Sequence, residues 1–247
     1  MAYKVNGLSE SDVLDLADHA ADRRATDLAR ALVTHACPGI SDAEIDLLPL
    51  GSRDRALLRL RAATFGSAME LVADCPNCPN LLEIDVETDA LIVRDPSARS
   101  MARLRRMTVA ERRLVMRPVT VADIAAALGA ECDDPRAVLA ARCCTDDATG
   151  DAVDGSSLDD DALTAIAARL AKLDPQADLM LDVACVACGH RWQQLFDIAG
   201  FFWREIRIRA GILIGEVHDL ARALHWSERD ILSLSARRRN AYLALVR

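Results

Sequence analysis

Apolar residues recur at helical spacing throughout the first quarter of the chain. Over residues 53–64 four of them lie on one helical face: Ala56, Leu57, Leu60 and Ala63. The same pattern predicts a helix that Ser9 or Ser11 caps and a second helix over 25–34, with a loop and a short helical turn over 40–50. We therefore expect residues 1–66 to form an N-terminal helical region.

The hydrophobic period then changes from helical to alternating. Leu82, Ile84 and Val86 alternate with acidic residues, which predicts a half-exposed strand, and residues 68–73 predict another strand just before it. The same arrangement returns over 179–184 and 191–196, and each pair of strands flanks a C-x-x-C turn. The sequence thus predicts two β-hairpins, over 67–90 and 178–198, that form one zinc-ribbon-like unit.

The segment between the hairpins, 91–177, reads as an inserted and mostly helical region. Its predicted elements are a hairpin of 103–107 with 112–118, a helix that Thr120 and Asp123 cap as a capping box, a helix from Pro135 to Cys144, and a helix over 160–173. Residues 145–159 are rich in Asp, Gly and Ser and predict a flexible loop.

The last segment, 199–247, predicts a C-terminal helical region with a long helix over 199–224 and two short helices after Ser227 and Ser235. Its long helix has a broad apolar face: Phe201, Phe202, Trp203, Ile206, Ala210, Leu213, Ile214 and Val217. We expect most of this face to be core and part of it to meet a partner, since aromatic residues often anchor interfaces. The predicted fold class is α+β, mostly helical.

Composition and charge narrow the classes of function. The chain has 247 residues, 51% of them hydrophobic, and a formal net charge of −8, which predicts a folded protein without general affinity for nucleic acid. The short basic clusters at 103–106, 112–113 and 237–239 are predicted to be solvated. With neither a secretory signal at the start nor a candidate membrane span, we expect a cytoplasmic protein with no membrane partner.

The two C-x-x-C turns carry the most specific chemistry in the sequence. Cys75 and Cys78 form one pair and Cys185 and Cys188 the other, with 106 residues between the pairs. Two such turns that face each other complete the tetrahedral set of four sulfur ligands that structural zinc prefers. We therefore predict one structural Zn held by these four cysteines, with the hairpins brought together by the fold.

The residue that follows each pair differs between the two turns. Gly189 follows Cys188 and can adopt a positive φ, whereas Pro79 follows Cys78, has a fixed negative φ and lacks an N–H group. The first turn is therefore predicted to have an altered geometry.

Other chemical interpretations of these residues stay open at this point. The paired cysteines are alternatively buried small hydrophobes or a redox pair, although neither turn opens a helix as a thioredoxin-like pair does. His190 is interpreted as a partly exposed strand residue rather than a ligand. Cys37, Cys132, Cys143 and Cys144 are interpreted as core residues.

No familiar catalytic motif occurs in the sequence, so the protein is predicted not to be an enzyme. His218 and His225 lie seven apart near acidic residues and would suit a metal site or acid–base pair on one helix face. The simpler interpretation of the pair is a solvated helix face.

Four runs of sequence carry a resemblance to a known family. They are L-L-R-L-R-A-A-T-F-G before the first cysteine pair, L-D-V-A-C-V-A-C-G-H-R-W, F-D-I-A-G-F-F-W-R-E-I, and E-V-H-D-L-A-R-A-L-H-W-S-E-R-D-I-L-S-L-S-A-R-R-R-N-A-Y-L-A-L-V. Over roughly 50–90 and 178–247, the chain resembles contractile-tail baseplate proteins related to the T-even phage baseplate hub assembly proteins and found with phage-like contractile injection systems. Pro79 departs from the glycine expected after the first pair.

This resemblance implies a role in building or completing a contractile-tail baseplate, with other baseplate or hub proteins as partners. The protein would be either an assembly chaperone or a permanent component that is incorporated into the particle. The alternative hypothesis is a zinc-ribbon regulator that binds nucleic acid, and the third is a metal-dependent hydrolase that uses His218 and His225.

Overall fold

The computed structural model describes residues 5–19, 25–109, 111–130 and 134–246, and it shows a mostly helical α+β fold with small antiparallel hairpins. The predicted fold class is confirmed. Four helices begin the chain: α1 (Glu10–His19), α2 (Ala25–Ala36), α3 (Asp42–Asp46) and α4 (Leu50–Phe65). Ser9, the first of the two predicted caps, accepts a hydrogen bond from the backbone N–H of Asp12.

The first hairpin follows α4 directly. Its strands are β1 (Ala68–Asp74) and β2 (Leu81–Glu87), which pair antiparallel in a register that sets Glu70 opposite Asp85. A 3₁₀ turn over Thr88–Leu91 leads out of the hairpin. On α4, the buried Arg61 donates to the carbonyl of Ala68 and to both carboxylate oxygens of Glu205, so it ties the start of the hairpin to the long helix described below.

In the middle of the chain, the described residues form four α-helices and a small sheet. These elements are α5 (Ala98–Leu104), β3 (Arg106–Val109), β4 (Arg112–Met116), α6 (Val121–Gly129), α7 (Pro135–Cys143), β5 (Cys144–Asp146) and α8 (Asp160–Leu173). The predicted hairpin exists as β3–β4, but it begins later than predicted because residues 98–104 are helical. Thr120 and Asp123 form the predicted capping box.

The prediction of a flexible loop over 145–159 is wrong at both ends of that segment. Cys144–Asp146 adds as the third strand of the sheet, beside β4, and Gly155–Ser157 forms a 3₁₀ turn. Val153 is buried, and Gly155 lies so close to the backbone of Ala137 that a side chain would clash. The polar composition of this segment correctly predicted its turns. It gave no indication that the segment adds a strand to the sheet and packs closely at Val153 and Gly155.

The second hairpin and three helices complete the chain. The strands are β6 (Met180–Ala184) and β7 (Arg191–Leu195), and the helices are α9 (Ile198–Leu224), α10 (Glu228–Leu232) and α11 (Ala236–Val246). α9 ends at Leu224, and the following residue, His225, caps it with a left-handed φ of 58°, so the two histidines of the hydrolase hypothesis do not share a helix. Both of them are exposed.

Within the described part of the chain, buried apolar side chains form two large cores and two small ones. The largest core joins α1, α2 and α4 to the first hairpin and to α9, and a separate core lies within the middle of the chain among β4, α7 and α8. A third core surrounds the cysteine turns, and a fourth packs the end of α9 against α10 and α11. The predicted apolar face of α9 is buried as far as Leu213, whereas Ile214 is exposed.

The prediction of a solvated basic cluster over 237–239 is wrong for one of its three members. Arg239 is completely buried, because it pairs with Glu216 on α9 and with Glu10 on α1. Among the described residues, no helix combines the length and the hydropathy that a membrane span requires.

Candidate metal centre

Each C-x-x-C sequence occupies the turn that joins two antiparallel strands. The backbone N–H of Cys75 donates to the carbonyl of Asn80 at 3.0 Å, and that of Cys185 donates to the carbonyl of His190 at 2.8 Å. In both turns the first cysteine therefore ends the strand ladder and the second lies inside the loop. This shared backbone arrangement directs both thiols of a turn to the same side.

The fold brings the two turns together so that the four sulfurs form one group. All four Sγ atoms lie within 4.8 Å of one another. Cys75 Sγ is 3.7 Å from Cys188 Sγ, and Cys78 Sγ is 3.7 Å from Cys185 Sγ. These separations are far longer than a disulfide bond of about 2.05 Å.

The separations match what a tetrahedral ion requires. With metal–sulfur bonds of about 2.3 Å, the sulfurs of a zinc–thiolate tetrahedron are roughly 3.8 Å apart. The measured pairs of 3.7 Å are close to that value. The donor set and the spacing therefore fit a four-coordinate metal ion, and these four cysteines can hold one.

Hydrogen-bond donors surround the sulfurs. Asn77 donates its backbone N–H to Cys75 Sγ at 3.4 Å and its side-chain amide to Cys188 Sγ at 3.6 Å. The backbone N–H of His190 and this amide lower the pKa of Cys188 to about 6. Such donors favour a thiolate, the form of cysteine that binds metal.

Cys78 differs from Cys188 in the direction of its pKa shift. The backbone N–H of Asn80 lowers its pKa, but desolvation and the three neighbouring thiols outweigh that effect and raise the pKa to about 12. Several thiolates in one small volume repel one another, so some of the thiols keep their protons until a cation neutralises the group. Binding of a metal would release those protons.

The two turns differ in backbone hydrogen bonding at the residue after each pair. Gly189 has a φ of 72° and donates its N–H to the carbonyl of Cys185 at 2.9 Å. Pro79 has no N–H and cannot make the equivalent bond. The N–H that donates to the second sulfur of each turn comes from the residue two positions later, which is Asn80 for Cys78 and His190 for Cys188. Pro79 therefore does not remove the N–H that donates to Cys78.

The surroundings of the sulfur group are typical of a structural metal site rather than a catalytic one. Cys75 and Cys185 are buried beside Leu82, Ile84 and Trp192. Four sulfur ligands fill a tetrahedral shell and leave no position for water or substrate.

His190 does not join the sulfur group. Its ring stacks on Trp192, with 5.9 Å between the ring centroids, while its backbone serves the turn. Among the described residues, no other group of three or more potential ligands comes together, and His218 and His225 are not part of any such group. Of the four cysteines predicted to be core residues, Cys143 and Cys144 are buried, Cys37 is half-buried, and Cys132 lies outside the described residues.

Asn77 is the residue at this site that sequence reasoning missed. Its amide and its backbone N–H both reach sulfurs, one on each hairpin. The available signal was an asparagine inside a C-x-x-C turn, because asparagine carries two side-chain donors where thiolates collect.

Comparison with known proteins gives one result. Neither the curated proteins nor the solved structures contain a significant match to the chain. A family model described as T4 bacteriophage base plate protein matches residues 9–203. The match includes the N-terminal helices and the whole middle region, which carried little of the resemblance seen in the sequence, and it stops within α9. The chain belongs to this family of T4 bacteriophage base plate proteins.

Proposed function

We propose that this protein is a non-enzymatic assembly or structural protein of a contractile-tail baseplate, in a phage or a phage-like injection system, and that one zinc ion holds its two hairpins together. The observation that carries this proposal is the close group of four sulfurs in a member of a base plate family. In this account, Cys75, Cys78, Cys185 and Cys188 are the ligands of the zinc.

Zinc is the ion that best suits the site. Four thiolates are soft ligands, and a tetrahedral set of them selects zinc or an iron–sulfur cluster. The metal would supply a rigid link between hairpins that are far apart in sequence, and free energy for folding. Metal analysis of the purified protein should find one zinc per chain and no acid-labile sulfide.

We further propose four regions with separate roles. Residues 67–90 and 178–198 form the zinc-ribbon-like unit, 1–66 and 199–247 are the N-terminal and C-terminal helical regions, and 91–177 is an insertion. Support for an insertion comes from the separate hydrophobic core inside the middle of the chain.

The proposed partners are other baseplate or hub proteins, which the protein would meet in the cytoplasm before it is incorporated or released. Affinity purification of the tagged protein from cells that produce sheathed particles tests this. Co-purification of sheath, spike, hub or wedge proteins would support the proposal. A chaperone would be absent from finished particles, and a component would be present in fixed stoichiometry.

The nucleic-acid regulator remains a weaker candidate because of the charge beside the sulfur group. Strand β2 carries Glu83, Asp85 and Glu87 on one face, and β1 carries Glu70 and Asp74 on the same face. These carboxylates would repel phosphate. Recovery of RNA polymerase or nucleic acid in the purification, without baseplate proteins, would overturn the baseplate proposal.

A further inference from the structure

Among the residues that the structure describes, no other strand covers one edge of strand β1. In an antiparallel pair, alternate residues direct their N–H and C=O groups toward the partner strand. The N–H of Cys75 bonds to Asn80, and the N–H of Thr88 bonds to Ser67. These two bonds place the odd-numbered residues of β1 in contact with β2, so the even-numbered residues direct their backbone groups outward.

The outward groups belong to Ala68, Glu70, Val72 and Asp74. The carbonyl of Ala68 already accepts a hydrogen bond from Arg61. Within the part of the chain that the structure describes, β1 pairs with β2 alone, and the outward N–H and C=O groups of Glu70, Val72 and Asp74 have no protein partner. The free edge therefore consists of the outward backbone groups of three alternate residues, Glu70, Val72 and Asp74. This length is enough for a short strand to pair with it.

A groove runs along this edge. All seven residues of β1 line it, from both faces of the strand, and the other wall comes from Leu181 and Leu195 of the second hairpin and from Ile208 of α9. Its volume of about 1120 Å³ exceeds the range of about 300–1,000 Å³ for small-molecule pockets. The size and the length of the groove suit a polypeptide segment.

Apolar side chains stand exposed around the groove. The exposed fractions are 62% for Val72 on β1, 57% for Leu195 at the end of β7 and 66% for Ile208 on α9. Leu195 and Ile208 would meet the apolar residues on one face of an incoming strand, because successive side chains of a strand alternate between its faces. Val72 lies on the same face of β1 as Glu70 and Asp74, so it would contact the aliphatic stems of the basic residues on the other face.

The charge of the groove indicates which charge a partner must carry to bind there. Six acidic residues line it, among them Glu70, Asp74, Asp85 and Glu87, against two arginines, Arg61 and Arg204, and Arg61 is already paired with Glu205. Among the described residues, none of those four carboxylates forms an ion pair. Glu70 lies directly opposite Asp85, and like charges in a cross-strand pair are destabilising. A basic partner would relieve this repulsion, whereas a second copy of the same edge would add to it and nucleic acid would be repelled.

We propose that an extended segment of a partner protein, with alternating apolar and basic residues, adds as a strand to the free edge of β1. The backbone groups of the edge give affinity and the carboxylates select the basic residues, as in other cases of strand addition. That the partner is a baseplate protein rests on the proposed function, whereas the binding site itself does not.

One substitution should block the free edge and leave the hydrogen bonds between β1 and β2 intact. Val72→Pro removes an outward N–H and places a ring on the edge, and proline is tolerated at such positions because the ladder to the neighbouring strand is not used. The matched control is Glu83→Pro. Glu83 lies opposite Val72 in the register, its backbone groups point away from β1, and it does not line the groove.

The probe is a fluorescent synthetic peptide of alternating lysine and valine, with a peptide of alternating glutamate and valine for comparison. Fluorescence anisotropy should show that the lysine peptide binds the wild-type chain and the Glu83→Pro variant, with an affinity that falls as salt rises. Val72→Pro should weaken binding by about tenfold or more, since it removes a backbone hydrogen bond and obstructs the edge. The glutamate peptide should not bind, and equal melting temperatures of the two variants would confirm equal folding.

Equal affinity of the lysine peptide for wild type and Val72→Pro, or no binding to either, would overturn the inference. Purification of both variants from particle-producing cells separates it from the proposed function. Baseplate proteins that co-purify with the wild type and Glu83→Pro but not with Val72→Pro would support both. If the same baseplate proteins co-purify with Val72→Pro, the inference that a partner strand binds the groove is overturned, and the proposed function stands. If no baseplate protein co-purifies with the wild-type chain, the proposed function is overturned.

Discussion

Arg239 is fully buried, and its Nε donates to the carboxylate of Glu216 on α9. Its Nη2 also donates to Glu10 on α1, and Arg209 on α9 binds both of these carboxylates. Two guanidinium groups and two carboxylates thus form a closed network that joins the first helix, the longest helix and the last one. The four charges sum to zero, so the buried Arg239 and Glu216 each have partners of opposite charge, as buried ions do in stable proteins.

Removal of one member of this network should be costly. Arg239→Ala leaves two carboxylates to share Arg209, and the loss of one partner from a buried ion pair costs about 3–5 kcal/mol. Urea denaturation measures the change in the free energy of unfolding. The neighbouring exposed residue supplies the control, because Arg238→Ala should change stability by less than about 0.5 kcal/mol. Similar values for the two variants would show that the network contributes little.

The sequence did not reveal this network for a physical reason. Three consecutive arginines occupy 237–239, and on a helix they point in three directions, so only one of them can face α9. Its partners are 23 and 229 residues away in the chain. Charge composition predicts an average environment, and the position of one side chain depends on contacts that no local pattern encodes.

Loss of a sulfur ligand should destabilise the whole fold. Cys185→Ser should lower the melting temperature by about 10 °C or more, since metal binding at such sites is also folding free energy. Cys37→Ser is the control, because Cys37 lies outside the sulfur group. Differential scanning calorimetry with and without a strong chelator measures both effects. Unchanged melting of the wild-type chain after chelation would contradict the zinc link.

The two cysteine turns should respond differently to exchange of the residue that follows them. Gly189→Pro cannot adopt a φ of 72° and loses the bond to the carbonyl of Cys185, so it should distort the turn and lower metal affinity about tenfold or more. Pro79→Gly should retain the affinity within a few-fold, because the gain of an N–H is offset by the flexibility of glycine. Competition with a colorimetric chelator measures both, and equal losses would mean that the turns are equivalent.

Asp123 should make stability depend on pH. Burial opposes its ionisation, but hydrogen bonds from Arg117, Thr120 and Arg142 prevail and hold the pKa of Asp123 well below its usual range. A carboxyl group with a depressed folded-state pKa stabilises the fold fully above its unfolded pKa of about 3.9 and loses that contribution as pH falls toward the folded value.

The matching variant is Asp123→Asn. At pH 7 it should cost about 3 kcal/mol, because it weakens charge-assisted hydrogen bonds to two arginines. The difference from the wild type should shrink as pH falls below about 4. Comparison of the two proteins at each pH by chemical denaturation cancels the effect of other titrating groups. A difference that stays constant down to pH 2 would show that ionisation of Asp123 does not contribute.

Local signals predicted the elements well, and long-range packing accounts for what they missed. Helix α8 spans Asp160–Leu173 as predicted, because its first acidic turn and Pro175 after it mark both ends within the chain. Strand β5 was missed because three residues at the start of a polar segment become a strand only beside β4. The sulfur group was predictable because each C-x-x-C turn is a local motif, whereas the groove along β1 depends on how two hairpins and α9 meet.

A role in baseplate assembly is best tested by a count of complete sheathed particles by electron microscopy, in cells that lack this gene and in cells complemented with the wild-type chain. We expect that deletion leaves few or no particles with a baseplate and that complementation restores them. Sheathed particles of normal number and shape in the deletion strain would contradict the assignment of this protein to baseplate assembly.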